Sequence, residues 1–339
     1  MTAVQAEINP GITEKEYKRR IWAWTMYDWA NSAFATSILA AVLPVFFSDV
    51  AGATLPSAAR ATAIWNLGGS VSFLIIALLS PILGTVADIM RGKKRFLAIF
   101  AGIGIVGTAL LFLVSTGDWM MASILAVVGR IGFNGSITFY DALLPHVARP
   151  DDRDRVSARG YAIGYLGGGI LLVVNVVMLQ LWGFTLGSQL SFLSVALWWA
   201  VFTIPLMRTI PEPPAVTSID RAGGVISSSF KRLWDTLKDI RHHRELFKFL
   251  VAFFIYNDGI GTIIFTAAIY GAELGFSSLE LVLAILLVQF VGIPYSLIFG
   301  RLPTRNDPRR AVYLAFILNN LVALPLVAQA PDPLREVMA

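Results

Sequence analysis

Residues 27–47 read YDWANSAFATSILAAVLPVFF. The run is about as long as the roughly 20 apolar residues a helix needs to cross about 30 Å of hydrocarbon. Inside it Asp28, Ser32 and Thr36 fall at i, i+4 and i+8, which puts all three on one helix face. An ionisable group at membrane depth costs roughly 2.5–3.5 kcal/mol on insertion scales. Such groups persist mainly where they pair or face a water-filled path. One stretch therefore predicts both a membrane helix and a polar function on it.

The same pattern repeats along the chain. Apolar residues make up 56% of the 339 and charged residues 14%, against about 25% charged in soluble domains. Mean hydropathy is +0.68. About nine spans are predicted, over 21–48, 60–87, 96–116, 119–145, 157–181, 188–207, 247–270, 279–300 and 311–330. Backbone groups cannot go unpaired in lipid, so these are helices, and the fold class is an all-α membrane bundle. Segment 1–20 precedes the spans, 21–207 forms a six-helix bundle, 208–246 is a linker loop and 247–339 a partial second bundle. Glu7, Glu14 and Glu16 before the first run exclude a cleavable signal peptide.

Lysine and arginine set the expected orientation. They gather at Lys15, Lys18, Arg19 and Arg20, at Arg91, Lys93, Lys94 and Arg95, and at Arg149, Arg153, Arg155 and Arg159. More follow in 208–246 and at Arg301, Arg305, Arg309 and Arg310. The alternate loops carry almost none. All basic loops then share one side, which is expected to be cytoplasmic with the N-terminus, in a plasma membrane. This placement explains the net charge of +5 without nucleic acid. The stretch SFKRLWDTLKDIRHHREL in the linker is basic and amphipathic, as in a helix lying on an anionic leaflet.

An internal repeat is legible. Asp258, Thr262 and Thr266 in span seven copy the spacing of Asp28, Ser32 and Thr36. GTVADIMRGKKR at 84–95 finds a degraded partner in GRLPTRNDPRR at 300–310. Two like-oriented halves are the plan of one large class of secondary transporters.

Gly84-x-x-x-Asp88-x-x-Arg91-Gly92-Lys93-Lys94-Arg95 resembles the loop motif of the major facilitator superfamily. YDWANSAFATSILAAVLPVFF, FYDALLPHVARPDDRDRVSARGYAIGYLGGG at 139–169 and FFIYNDGIGTI at 253–263 resemble its vacuole-effluxer-like, or unknown-major-facilitator, branch. Asp141 stands where that pattern carries Asn. The resemblance implies efflux of small solutes, amino acids foremost, by alternating access. It also implies a cavity lined by helices one, four, seven and ten of twelve. The reading reaches nine spans, so the chain is expected to be a fragment of a longer carrier or an incomplete one. A non-transporting structural or regulatory membrane protein is the alternative. A second copy or another partner is expected to cover the face of the absent helices.

The expected substrate and ion path comprises Asp28, Asn31, Ser32 and Thr36 on span one. Arg130, Asn134, Thr138 and Asp141 follow on span four, and Asn257, Asp258 and Thr262 on span seven. Buried carboxylates take up protons reversibly more readily than solvated ones, so H+ is the expected coupling ion at Asp28 and Asp258. Arg130 has two open readings: binding a substrate carboxylate, or pairing with Asp28 or Asp258. Tyr27 and Trp29 are read as interfacial anchors. Gly84, Asp88, Arg91, Gly92, Lys93 and Lys94 form an expected gate latch. Gly160, Gly164 and Gly168 form a small-xxx-small packing ladder. His146 stands alone at the end of span four. Cysteine is absent, no HExxH, CxxC or GxSxG sequence occurs, and no ATP-binding motif is present. No cofactor, metal or enzymatic role is expected.

Overall fold

Thr13 starts the first helix, its hydroxyl accepting the Glu16 N–H at 3.2 Å. Glu14 and Glu16 in the first turn complement the helix dipole. The computed structural model describes residues 12–214, 234, 238–239, 244–273 and 275–299. Helix α1 (Glu14–Ala51) runs for 38 residues. That is about 57 Å at 1.5 Å per residue, so its first turns project beyond the hydrocarbon. Pro44 has no N–H to give the Ala40 carbonyl. The helix widens around it into π turns over Phe34–Ala41 and Phe47–Ala51, with the Val42 N–H reaching back to the Ser37 carbonyl.

Helix α2 (Ala58–Met90) begins at Ser57, whose hydroxyl accepts the Arg60 N–H, and ends where Arg91 turns left-handed at φ 52°. Helices α3 (Lys93–Leu113), α4 (Trp119–Asp141), α5 (Pro150–Trp182) and α6 (Phe184–Thr209) follow. A short turn of helix, Leu144–Val147, links α4 to α5. Gly183 at φ 75° folds α6 back on α5. Beyond the linker come α7 (Arg244–Glu273) and α8 (Ser278–Phe299). Among the described residues there is no strand, and seven helices are long and apolar enough to cross a membrane. They match the first six predicted spans and the eighth, while α7 occupies the place of the seventh. The ninth span, 311–330, the 300–310 repeat and most of the linker loop lie outside the described residues.

Helix α1 is the axis of the bundle: 83% of its spanning window is buried, against 11% for α2 and for α8. It packs most extensively on the antiparallel pair α5 and α6. The contact with α5 is a register of polar groups against glycines. A Cβ on Gly164 would stand 2.5 Å from the Ser32 hydroxyl, and one on Gly168 2.5 Å from that of Thr36. A Cβ on Gly160 would collide with Asp28 Oδ2. Pairs 28–160, 32–164 and 36–168 ascend together, so α1 and α5 run parallel, as two odd-numbered spans must. A polar network binds the same pair to α6. Ser37 donates to Asn175 Oδ1 at 2.7 Å, and Asn175 Nδ2 donates to Ser194 at 2.8 Å.

The loops segregate by charge. At one end Tyr17 donates to Asp152 at 2.7 Å, while Arg149 sits 4.1 Å above the Tyr17 ring and 3.1 Å from Glu14. Lys94 Nζ there donates to the Met207 carbonyl at 2.9 Å and to that of Ile210. At the other end the Gly117 N–H meets the Val50 carbonyl and Gln189 caps the Val114 carbonyl. These are the basic and neutral loop sets read from the sequence.

Tyr27 is not an exposed interfacial anchor, and Trp29 is half-buried. Tyr27 is fully buried against Tyr140, and Trp29 stacks on Trp198 with ring centroids 5.4 Å apart. Both rings lie on the sides of α1 that other helices cover.

Asn175→Ala removes both bonds of the α1–α5–α6 network and is expected to lower stability in detergent by about 1 kcal/mol, read by denaturant unfolding. Gly160→Val forces α5 away from α1 and is expected to cost about 2 kcal/mol or more by overpacking. Gly102→Ala, whose added Cβ would meet nothing within 4 Å among the described residues, is expected not to lower the unfolding midpoint in the same assay.

Candidate functional site

Asp28 lies where α1, α4 and α5 meet. Its Oδ2 accepts a hydrogen bond from the Tyr140 hydroxyl at 2.8 Å. Tyr140 is fixed in turn. Its ring stacks on Trp24 at 4.3 Å, and its carbonyl accepts the Trp24 indole N–H at 3.3 Å. The absence of a side chain at Gly160 makes room for the carboxylate. Asp141, next along α4, is near enough for its charge to act on Asp28, and Tyr161 of α5 lies near both. Neither carboxylate has a salt-bridge partner among the described residues. Asp28 thus sits within the helix bundle while a second acid, the exposed Asp141, acts on it from α4, and like charges repel.

The rest of the expected path divides. Ser32 and Thr36 face the α5 glycines, so they line a helix contact rather than an open route. Asn31 is buried, with no hydrogen-bond partner for its Nδ2 among the described residues. Arg130 is buried against α2: its guanidinium lies 4.0 Å over the Trp65 ring and donates to the Trp65 carbonyl at 3.3 Å. A salt bridge from Arg130 to Asp28 is not formed. Thr138 bonds back to the Asn134 carbonyl at 3.0 Å within α4. The backbone of α7 carries Asn257, Asp258 and Thr262, whose side chains lie outside the described residues.

Two neighbours of Asp28 are absent from the path expected of the sequence. Tyr140 is 112 residues from it, and only the parallel packing of α1 with α5 brings α4 alongside. Tyr161 carries a usable signal, because Tyr161 and Tyr165 flank the glycine ladder at i and i+4. Tyr165 also meets the second part of the chain, since a Cβ on Gly292 of α8 would stand 3.0 Å from its ring. Next to it Gln289 of α8 is buried over Gly169.

The gate motif forms a compact turn. Lys93 Nζ pairs with Asp88 Oδ1 at 3.0 Å, and the Gly92 N–H closes on the Ala87 carbonyl at 2.9 Å. Arg91 is exposed. Glu212 accepts the Lys94 backbone N–H at 3.0 Å. A Cβ added to Gly84 would meet nothing within 4 Å among the described residues. No group of acids and histidines able to hold a metal occurs among the described residues.

Comparison with known proteins agrees with this architecture. A family model described as vacuole effluxer Atg22 like matches residues 54–325. The chain is 35% identical over 317 residues to the uncharacterized MFS-type transporter YxiO of Bacillus subtilis, covering 91% of this chain and 73% of that protein. It is 22% identical to autophagy-related protein 22 of Kluyveromyces lactis, over 96% of this chain and 72% of the other. Among solved structures, the xylose transporter XylE of E. coli superposes with a TM-score of 0.56 at 17% identity, over 84% of this chain and 70% of that one; at that identity the likeness speaks for the fold. On the family match and the Bacillus relative, the chain belongs to the Atg22-like vacuole effluxer family, and it is a multi-pass membrane transporter of the major facilitator type.

Proposed function

We propose that the protein is a secondary active carrier that exports small amino-bearing solutes, amino acids foremost, coupled to protons through Asp28. The observation that carries this reading is the Asp28–Tyr140 bond beside Asp141, with no basic partner for either acid among the described residues. A substrate ammonium group supplies the positive charge the pair lacks, and a proton on Asp28 substitutes for it when the site is empty. Proton and substrate then compete for one carboxylate, which is how one gradient drives another. Tyr140 keeps Asp28 oriented through the exchange, because its hydroxyl can donate to Oδ2 while Oδ1 gains or loses the proton. In this reading the basic end of the bundle faces the cytoplasm, following the positive-inside rule.

The test is flux in proteoliposomes under an imposed pH gradient, screened over amino acids. Asp28→Asn is expected to abolish gradient-driven flux and to weaken substrate counterflow as well, because proton and substrate share that carboxylate. Full gradient-driven flux in that variant would sink the coupling role. Asp141→Asn is expected to weaken apparent affinity for cationic and zwitterionic substrates while leaving the response to pH in place.

Tyr140→Phe keeps the ring on Trp24 and deletes only the hydroxyl. Loss of a hydrogen bond to a charged group is worth about 1.5–3 kcal/mol. Initial flux is therefore expected to fall by about tenfold or more, with the unfolding midpoint lowered by the same lost bond.

A further inference from the structure

His146 has neighbours that its solitary place in the sequence conceals. It sits in the helical turn between α4 and α5, half-buried, with its Nε2 3.4 Å from Lys93 Nζ. The same ammonium is 3.0 Å from Asp88 Oδ1. Three segments thus meet through one cation: the end of α2 through Asp88, the start of α3 through Lys93 and the α4–α5 turn through His146. Arg153 at the start of α5 is the remaining charged group acting on the ring among the described residues.

The Lys93–His146 contact is chemically conditional. An ammonium has donors and no acceptor. It can therefore bond Nε2 only while that atom carries a lone pair, which requires a neutral ring protonated on Nδ1. A second proton removes the acceptor. It also sets a third positive charge beside Lys93 and Arg153, with Asp88 the acid that acts on the ring. Histidine gains that proton close to neutrality in ordinary surroundings.

The turn that would feel the change is an anchor for its neighbours. Arg91 holds it in a left-handed conformation. Lys94, next to Lys93, holds the end of α6 through the Met207 and Ile210 carbonyls and receives Glu212 on its backbone N–H. What loosens Lys93 therefore acts on the attachment of the segment that leads toward α7.

We infer that Asp88, Lys93 and His146 form a proton-operated latch at the basic end of the bundle, closed while His146 is neutral and released when it is protonated. Acidification on that side then frees the α2–α3 turn from the α4–α5 turn. This places a pH sensor outside the Asp28 site, independent of any coupling there.

Hydrogen exchange over residues 88–96, in the full chain in lipid nanodiscs and corrected for intrinsic rates, tests the latch without transport. Protection of these amides is expected to fall about tenfold between pH about 8 and pH about 5, a window carried to the acid side of the ordinary histidine titration because burial and the Lys93 and Arg153 charges lower the His146 pKa. In His146→Gln the amide oxygen accepts from Lys93 at every pH, so protection stays high throughout. In Asp88→Asn the turn has lost its acid, so protection is low at both pH values. Equal protection of the wild type at the two pH values overturns the latch without recourse to any variant. Persistence of the full drop in His146→Gln overturns it as well, because the titrating group is then another residue.

Discussion

Close approach of α1 to α5 is the contact on which the rest of the described bundle depends. Lipid tails are as apolar as leucine, so burial of apolar surface does little to drive helices together in a membrane. Backbone proximity and polar contacts must do so instead. Gly160, Gly164 and Gly168 remove the side chains from one face of α5, and α1 sets Asp28, Ser32 and Thr36 into the space. The same contact performs two tasks. It buries a polar stripe that would be expensive in lipid, and it fixes the position of one carboxylate against a neighbouring backbone.

The remainder of α1 answers to the same constraint. Pro44 loosens the backbone hydrogen bonding around it, and the widened turn contains Ser37, which donates to Asn175 of α5, itself donating to Ser194 of α6. A weakened stretch of helix is thereby tied at the point where it departs from ideal geometry. Asp28 lies just before that stretch, on regular helix, with Tyr140 holding one oxygen. The acid is rigidly placed, while the helix beyond it has the irregular hydrogen bonding that permits bending.

At the basic end the lysines and arginines do more than set topology. Lys94 satisfies carbonyls at the end of α6, Arg149 covers the Tyr17 ring, and Lys93 joins an acid to an imidazole. Positive charge gathered at one end of the bundle also closes helix ends. The loop motif thereby meets a residue from a different loop, His146.

The apolar runs are enough to establish the class and the number of the described spans; the family was legible only through the resemblance carried by stretches such as 139–169. A bilayer imposes one thickness and one hydrogen-bonding rule on every segment, so length and composition suffice. The glycine ladder is legible for a similar reason, since a four-residue period has one meaning on a membrane helix. Partners are not legible. Spacing points Arg130 toward Asp28, and it lies on Trp65; position makes Tyr27 an anchor, and it is packed inside; His146 stands alone at the end of its span, and it meets Lys93. Each of these turns on how far a helix is rotated about its own axis. Helices apolar on nearly every side do not declare that rotation, and only the packing of α1, α4 and α5 against one another settles it.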